Sequence, residues 1–132
     1  MTGLAALVRG LAALRASQPP RLLAVGWATV DLGRTLDDLG VSHRPPTVDE
    51  PLLGARGSRV DAGPVAVIVL EPSTEGRLAA ALARRGEGVC ALYVGATAGP
   101  SSADRATALG LPGRLLPHDH PWGPFVIEVP EG

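Results

Sequence analysis

Lysine is missing from this sequence: all 12 basic side chains are arginine, a bias that fits the codon usage of a GC-rich bacterial genome. Aromatic residues are scarce. Trp27, Tyr93, Trp122 and Phe125 are the whole set, so the core must be aliphatic and a base-stacking surface is excluded. A single cysteine, Cys90, rules out an internal disulfide and fits a reducing, cytoplasmic setting. Neither charge sign is in excess. The formal net charge of −1 gives no electrostatic basis for a nucleic-acid partner or an anionic membrane. Apolar runs are short, and none approaches the ~20 residues that a bilayer-spanning helix requires.

What remains is 132 residues, 45% of them hydrophobic, which suffices for one domain with a real core. Residues 1–20, "MTGLAALVRGLAALRASQPP", place Leu4, Leu7, Val8, Leu11 and Leu14 at helical spacing. Arg9 and Arg15 interrupt the apolar stretch that a cleaved leader would need. The spacing predicts an amphipathic helix stopped by Pro19 and Pro20, docked on the domain or on a second subunit.

Residues 21–132 read as a single domain traversed in two similar passes. The first opens with the strand "RLLAVGWATV". Asp31 then caps a short helix carrying Leu32, Leu36 and Leu39, which Gly40 ends. A short strand is expected at "VSHR", residues 41–44. A hairpin follows, formed by "LLGARGSRV" and "VAVIVLE" around the turn "DAGP". The clearest helix is "PSTEGRLAAALARRGEG", with Ser73 as expected N-cap, Glu75 in its first turn, Arg84 and Arg85 in its last, and Gly86 as stop. The second pass opens with "VCALYVGA". A helix capped by Ser101 or Ser102 is expected over "ADRATALG", followed by "LPGRLLPHDH" and "PFVIEVP". It is shorter, with about one strand missing or vestigial. The pattern predicts an α+β fold of two βαβββ-like modules, mostly antiparallel, with helices packed on the outside of the sheet. Module 1 covers about 21–72, the linker helix 73–86 and module 2 about 88–130.

The segment "VIVLEPSTEGRLAAALARRGEGVCALYV", Val67 to Val94, resembles the middle of the vicinal-oxygen-chelate superfamily, which includes glyoxalase I, methylmalonyl-CoA epimerase, extradiol dioxygenases and bleomycin-resistance proteins. The epimerase branch is nearest in pattern: a strand ending in Leu-Glu-Pro, a Ser/Thr-capped linker helix, an "RGEG" exit and a new opening strand. The likeness spans about Leu22 to Val129. It implies modules that each roll into a half-barrel and pair to enclose a pocket, with a divalent metal held by one side chain from each opening and each closing strand. Laid on this sequence, those positions become Ala24, Ile68, Ala91 and Glu128. Three of the four carry no donor atom, and one carboxylate does not retain a divalent ion against water. No cofactor is therefore expected, with a divalent metal as the lesser alternative.

That alternative would draw on "LPHDHPWGP", where His118 and His120 flank Asp119. Two residues apart on a strand they would share a face and could join Glu128. Pro117, Pro121 and Pro124 instead predict a bent loop at the rim. His43, just before Pro45 and Pro46, reads as an edge or loop residue. The expected pocket consists of Ala24, Gly26, Ile68, Ala91, Tyr93 and Glu128, a small aliphatic surface with one phenol and one acid. Glu128 and Tyr93 are the candidate catalytic residues. Glu128, if buried, would have a raised pKa and could serve as acid or base, whereas Arg56 or Arg59 could instead neutralise it. Tyr93 could equally be a packed strand aromatic with its hydroxyl at the surface. The resemblance then implies either a metal-free protein that binds an unidentified apolar or drug-like small molecule, or an epimerase- or lyase-type enzyme. An exposed sheet edge in the shortened module further suggests a homodimer.

Overall fold

A computed structural model of the chain describes residues 21–41, 45–61, 63–96, 104–117 and 124–130. The expected N-terminal helix, His43, Ser101, Ser102, His118 and His120 lie outside these residues. Eight strands form one mixed sheet: β1 (Leu22–Ala28), β2 (Val48–Glu50), β3 (Ala55–Asp61), β4 (Ala66–Pro72), β5 (Gly88–Ala96), β6 (Arg105–Ala106), β7 (Pro112–Leu115) and β8 (Phe125–Pro130). Their spatial order is β2-β3-β4-β1-β5-β8-β7-β6. Reading outward from the central β1–β5 pair, each half repeats one pattern, opening strand, closing strand, then a hairpin. The strands β1 and β4 run parallel, as do β5 and β8, and the other neighbours are antiparallel. This is the α+β fold of two modules, rolled into a nearly closed half-barrel.

The central strands are where the hydrophobic sequence is densest. In β4, "AVIVL" is buried on both sides, because Ala66, Ile68 and Leu70 enter one core while Val67 and Val69 enter another. The first cluster fills the inner face of the half-barrel. The second lies on the outer face beneath helix α1 (Leu32–Asp38), with Leu36 among its members. At the joint between modules Gly26 pairs with Ala91. A Cβ on Gly26 would come within 2.9 Å of the Ala91 Cβ, so the close approach of β1 and β5 depends on small residues.

Helix α1 starts as the sequence predicts. The Asp31 side chain accepts from the Arg34 amide at 3.0 Å, and Gly40, at φ 77°, ends the helix. The Leu32 amide donates to Glu71 Oε2 at 2.8 Å, so β4 supplies a second, tertiary cap. The linker helix α2 (Arg77–Arg85) departs from expectation at its start. Its N-cap is Gly76, not Ser73, and Glu75 lies before the first turn. The reason is tertiary: the Ser73 and Thr74 amides donate to the Gly54 carbonyl, and the Leu78 amide to that of Leu53.

One further expectation fails and another lies mostly outside the described residues. Of the strand expected at residues 41–44 only Val41 is described, and it is not in a strand; a strand, Val48–Glu50, lies beyond Pro45 and Pro46. The expected helix over "ADRATALG" is replaced, in its described part, by β6 and a turn. There the Thr107 amide and hydroxyl both donate to the Leu111 carbonyl, closing a tight loop instead of a helical turn. Module 2 is shortened as predicted, yet all four strands are present, with β6 reduced to two residues.

Candidate functional site

Five of the six expected pocket residues come together. Ala24, Ile68, Ala91 and Tyr93 belong to the inner cluster, and Gly26 lies among them, paired with both Ile68 and Ala91. All four clustered side chains are completely buried. Glu128 does not join them. Its neighbours Ile127 and Val129 turn inward, and Ile127 pairs with Tyr93, so strand alternation sends Glu128 to the opposite face. A closing strand read one residue out of phase exchanges every side chain between faces. Glu128 Oε1 instead lies 3.2 Å from Arg114 Nε across the β7–β8 pair, and Asp104 Oδ1 lies 3.7 Å from the same nitrogen. An arginine partner was foreseen, but Arg56 pairs with Glu71 and Arg59 with Asp61.

The acid on the inner face is Glu50, at the end of β2. It is fully buried, and so is Tyr93, whose hydroxyl donates to Glu50 Oε1 at 2.7 Å. The Ala108 amide donates to the same oxygen at 3.1 Å. Glu50 Oε2 has no hydrogen-bond partner among the described residues. Burial pushes the Glu50 carboxyl above the ordinary carboxylate range, an effect that the Tyr93 hydrogen bond and the nearby Ala108 and Leu52 amides only partly oppose. The same burial, reinforced by the adjacent Glu50, raises the Tyr93 phenol well above its usual value. Tyr93 therefore anchors an interior polar pair, and its hydroxyl is not at the surface. Cys90, buried on the same strand, is pushed up to about 12 and is an inert thiol.

Nothing in the local pattern marks Glu50. No element was expected at "TVDEP", and the burial comes from Tyr93 on β5 and Ala108 in the β6–β7 turn meeting Glu50. The usable hint was the chain's lone tyrosine on an apolar strand face, since a buried phenol needs a partner.

A second carboxylate, Glu87, ties the loop after α2 to the start of α1. It accepts from the Val30 amide at 2.9 Å and the Thr29 hydroxyl at 2.8 Å, and forms a close ion pair with Arg34. The Arg34 hydrogen bond, first, and then those from Val30 and Thr29 hold its carboxyl down at about 2. On the outer face, a groove of about 380 Å³ runs between α1 and β3, lined by Leu32, Leu36, Pro45, Arg56, Ser58 and Glu71. Its charged wall is already neutralised by the Arg56–Glu71 pair, at 2.9 Å.

The residues at the implied metal positions do not fit a divalent ion. Ala24, Ile68 and Ala91 offer hydrocarbon, and Glu128 points elsewhere. Among the described residues no three His, Cys, Asp or Glu side chains are grouped to hold a metal, and no helix is long and apolar enough to cross a membrane.

No protein-family model matches the sequence, and no curated protein is similar to it in sequence. Solved structures do share its fold. A hypothetical protein from Bacillus halodurans C-125 superposes with a TM-score of 0.68 at 17% identity, over 87% of this chain and 96% of that one. Methylmalonyl-CoA epimerase from Streptomyces coelicolor, in complex with 2-nitronate-propionyl-CoA, gives 0.65 at 20% identity, over 83% and 96%. The enzyme from Mycobacterium tuberculosis gives 0.67 at 16% identity, over 84% and 87%. The likeness to methylmalonyl-CoA epimerases, and through them to vicinal-oxygen-chelate proteins, holds at the level of the fold.

Proposed function

We propose that this chain is a metal-independent binding protein for a small, largely apolar molecule, held on the inner face of the half-barrel around Glu50. The observation that carries the reading is the substitution of buried hydrocarbon (Ala24, Ile68, Ala91) where the resemblance implies donor atoms, beside one buried carboxyl that has a free oxygen. An interior of this kind recognises shape through apolar contact and orients its occupant through a single polar group. A reducing cytoplasm and a homodimer complete the reading, supported by the solitary buried thiol and the two-residue edge strand β6. The test is a fragment screen followed by methyl-resolved NMR of the untagged protein. Ligands of this class should shift the Ile68 and Ala91 methyl signals, whereas binding confined to the surface would refute the proposal.

A second reading is favoured by the epimerases among the structural neighbours and by the raised Glu50 carboxyl. In it the protein is a proton-transfer enzyme of the epimerase or lyase class. The acid/base role that alternation suggested for Glu128 passes to Glu50, since a carboxyl lifted toward neutrality suits both giving and taking a proton. Once a ligand is known, a Glu50→Gln variant separates the two. Retained binding with lost turnover supports the enzyme, and the absence of turnover in the wild-type protein supports the binder.

A further inference from the structure

The two oxygens of Glu50 are treated unequally. The Tyr93 hydroxyl and the Ala108 amide, the two donors within hydrogen-bond geometry of the carboxyl among the described residues, converge on Oε1, and the Leu52 amide near the carboxyl acts on it more weakly. Tyr93 and Ala108 come from module 2, whereas Glu50 belongs to module 1. Among the described residues, Oε2 is buried with no hydrogen-bond partner and no cationic side chain is within ion-pair distance of Glu50. An anionic oxygen buried in this way would lose its hydration with nothing to replace it. An oxygen that already accepts from two donors is the carbonyl end of a carboxylic acid, so the proton belongs on the other oxygen. The titratable groups coupled to it, the Tyr93 phenol and through Tyr93 the Cys90 thiol, both remain protonated at neutral pH and bring no charge.

We propose that Tyr93 and the Ala108 amide are positioning groups that commit Oε1, leaving Glu50 Oε2 as an O–H donor for a ligand that bears a carbonyl oxygen on an apolar body. This rests on the binding reading above and supplies the ligand's chemistry. A ketone, ester or amide carbonyl accepts from Oε2 while its hydrocarbon part meets Ala24, Ile68 and Ala91. An ammonium group would present donors to a donor, with no carboxylate to neutralise it.

The test uses the full chain labelled at the glutamate side-chain carboxyl carbon, with the Glu50 signal assigned by its loss in Glu50→Gln. In wild-type protein the Glu50 signal should titrate above the range of the other glutamates. Tyr93→Phe, which removes only the hydroxyl, should move that titration further up. A Glu50 that titrates with the others overturns the inference, and so does a Tyr93→Phe titration that stays in place. Cyclohexanone and cyclohexylammonium, which share a ring and differ in the polar group, then probe the wild-type site directly. The ketone should shift the Glu50 signal and bind at least about tenfold more tightly than the ammonium ion, a difference of about 1.4 kcal/mol. Tighter binding of the ammonium ion overturns the ligand chemistry and leaves the binding reading standing. Silence of the Ile68 and Ala91 methyls to both probes overturns the binding reading itself, while the two titrations still judge the carboxyl's orientation.

Discussion

Glu50 and Glu87 are carboxylates displaced in opposite directions, and pH should separate them. The folded carboxyl of Glu50 lies above the unfolded value of about 4.3. Its contribution to stability is therefore complete below that pH and declines as pH rises through the folded value. Glu50→Gln should flatten this decline and make the protein more stable than wild type at pH 8, by about 1 kcal/mol, as read from urea unfolding. Glu87 is held at about 2, so its contribution is present above the unfolded value and is lost as pH falls toward about 2. Glu87→Ala should lower stability by ~1–2 kcal/mol at pH 7, through the lost hydrogen bonds to Val30 and Thr29, with a smaller loss at pH 3. Neither residue stood out in the sequence. "RGEG" reads as a solvated helix end around Glu87, and no element was expected at Glu50, because the groups that change their chemistry arrive from elsewhere in the chain.

Elements were legible where their signals are local. Asp31 with Leu32, Leu36 and Gly40 specified α1, and the "DAGP" turn specified the β3–β4 hairpin. Asp31→Ala should cost about 1 kcal/mol through loss of the cap, with Glu71 still holding the Leu32 amide. In β3 a Cβ on Gly57 would fall 2.2 Å from the Val69 carbonyl oxygen, which no side-chain motion relieves. Gly57→Ala should therefore destabilise by on the order of 3 kcal/mol, visible as a lowered Tm. Elements were misread where tertiary contacts override propensity. "ADRATALG" has helix-forming composition, yet its Ala108 amide is drawn to Glu50 and its Thr107 to Leu111. The start of α2 was read early because Ser73 looks like a cap until Gly54 takes its amide.

For the whole molecule, the two passes and the linker helix were enough to identify a two-module α+β fold, because a repeated order of strands is itself a sequence feature; the half-barrel followed from the resemblance carried by the linker segment. The center of the inner face was only half visible. Its apolar floor followed from strand alternation, but its acid was sought on β8, one residue out of phase, and was found on β2. The account stands on the proposal that hydrocarbon occupies the positions where the resemblance implies metal donors. Elemental analysis of untagged protein, produced in medium supplemented with manganese, cobalt and zinc and then gel-filtered, tests this most directly. The expected result is metal well below one equivalent per chain, with unfolding unchanged by a chelator. One retained equivalent, with stability lost on chelation, would contradict it.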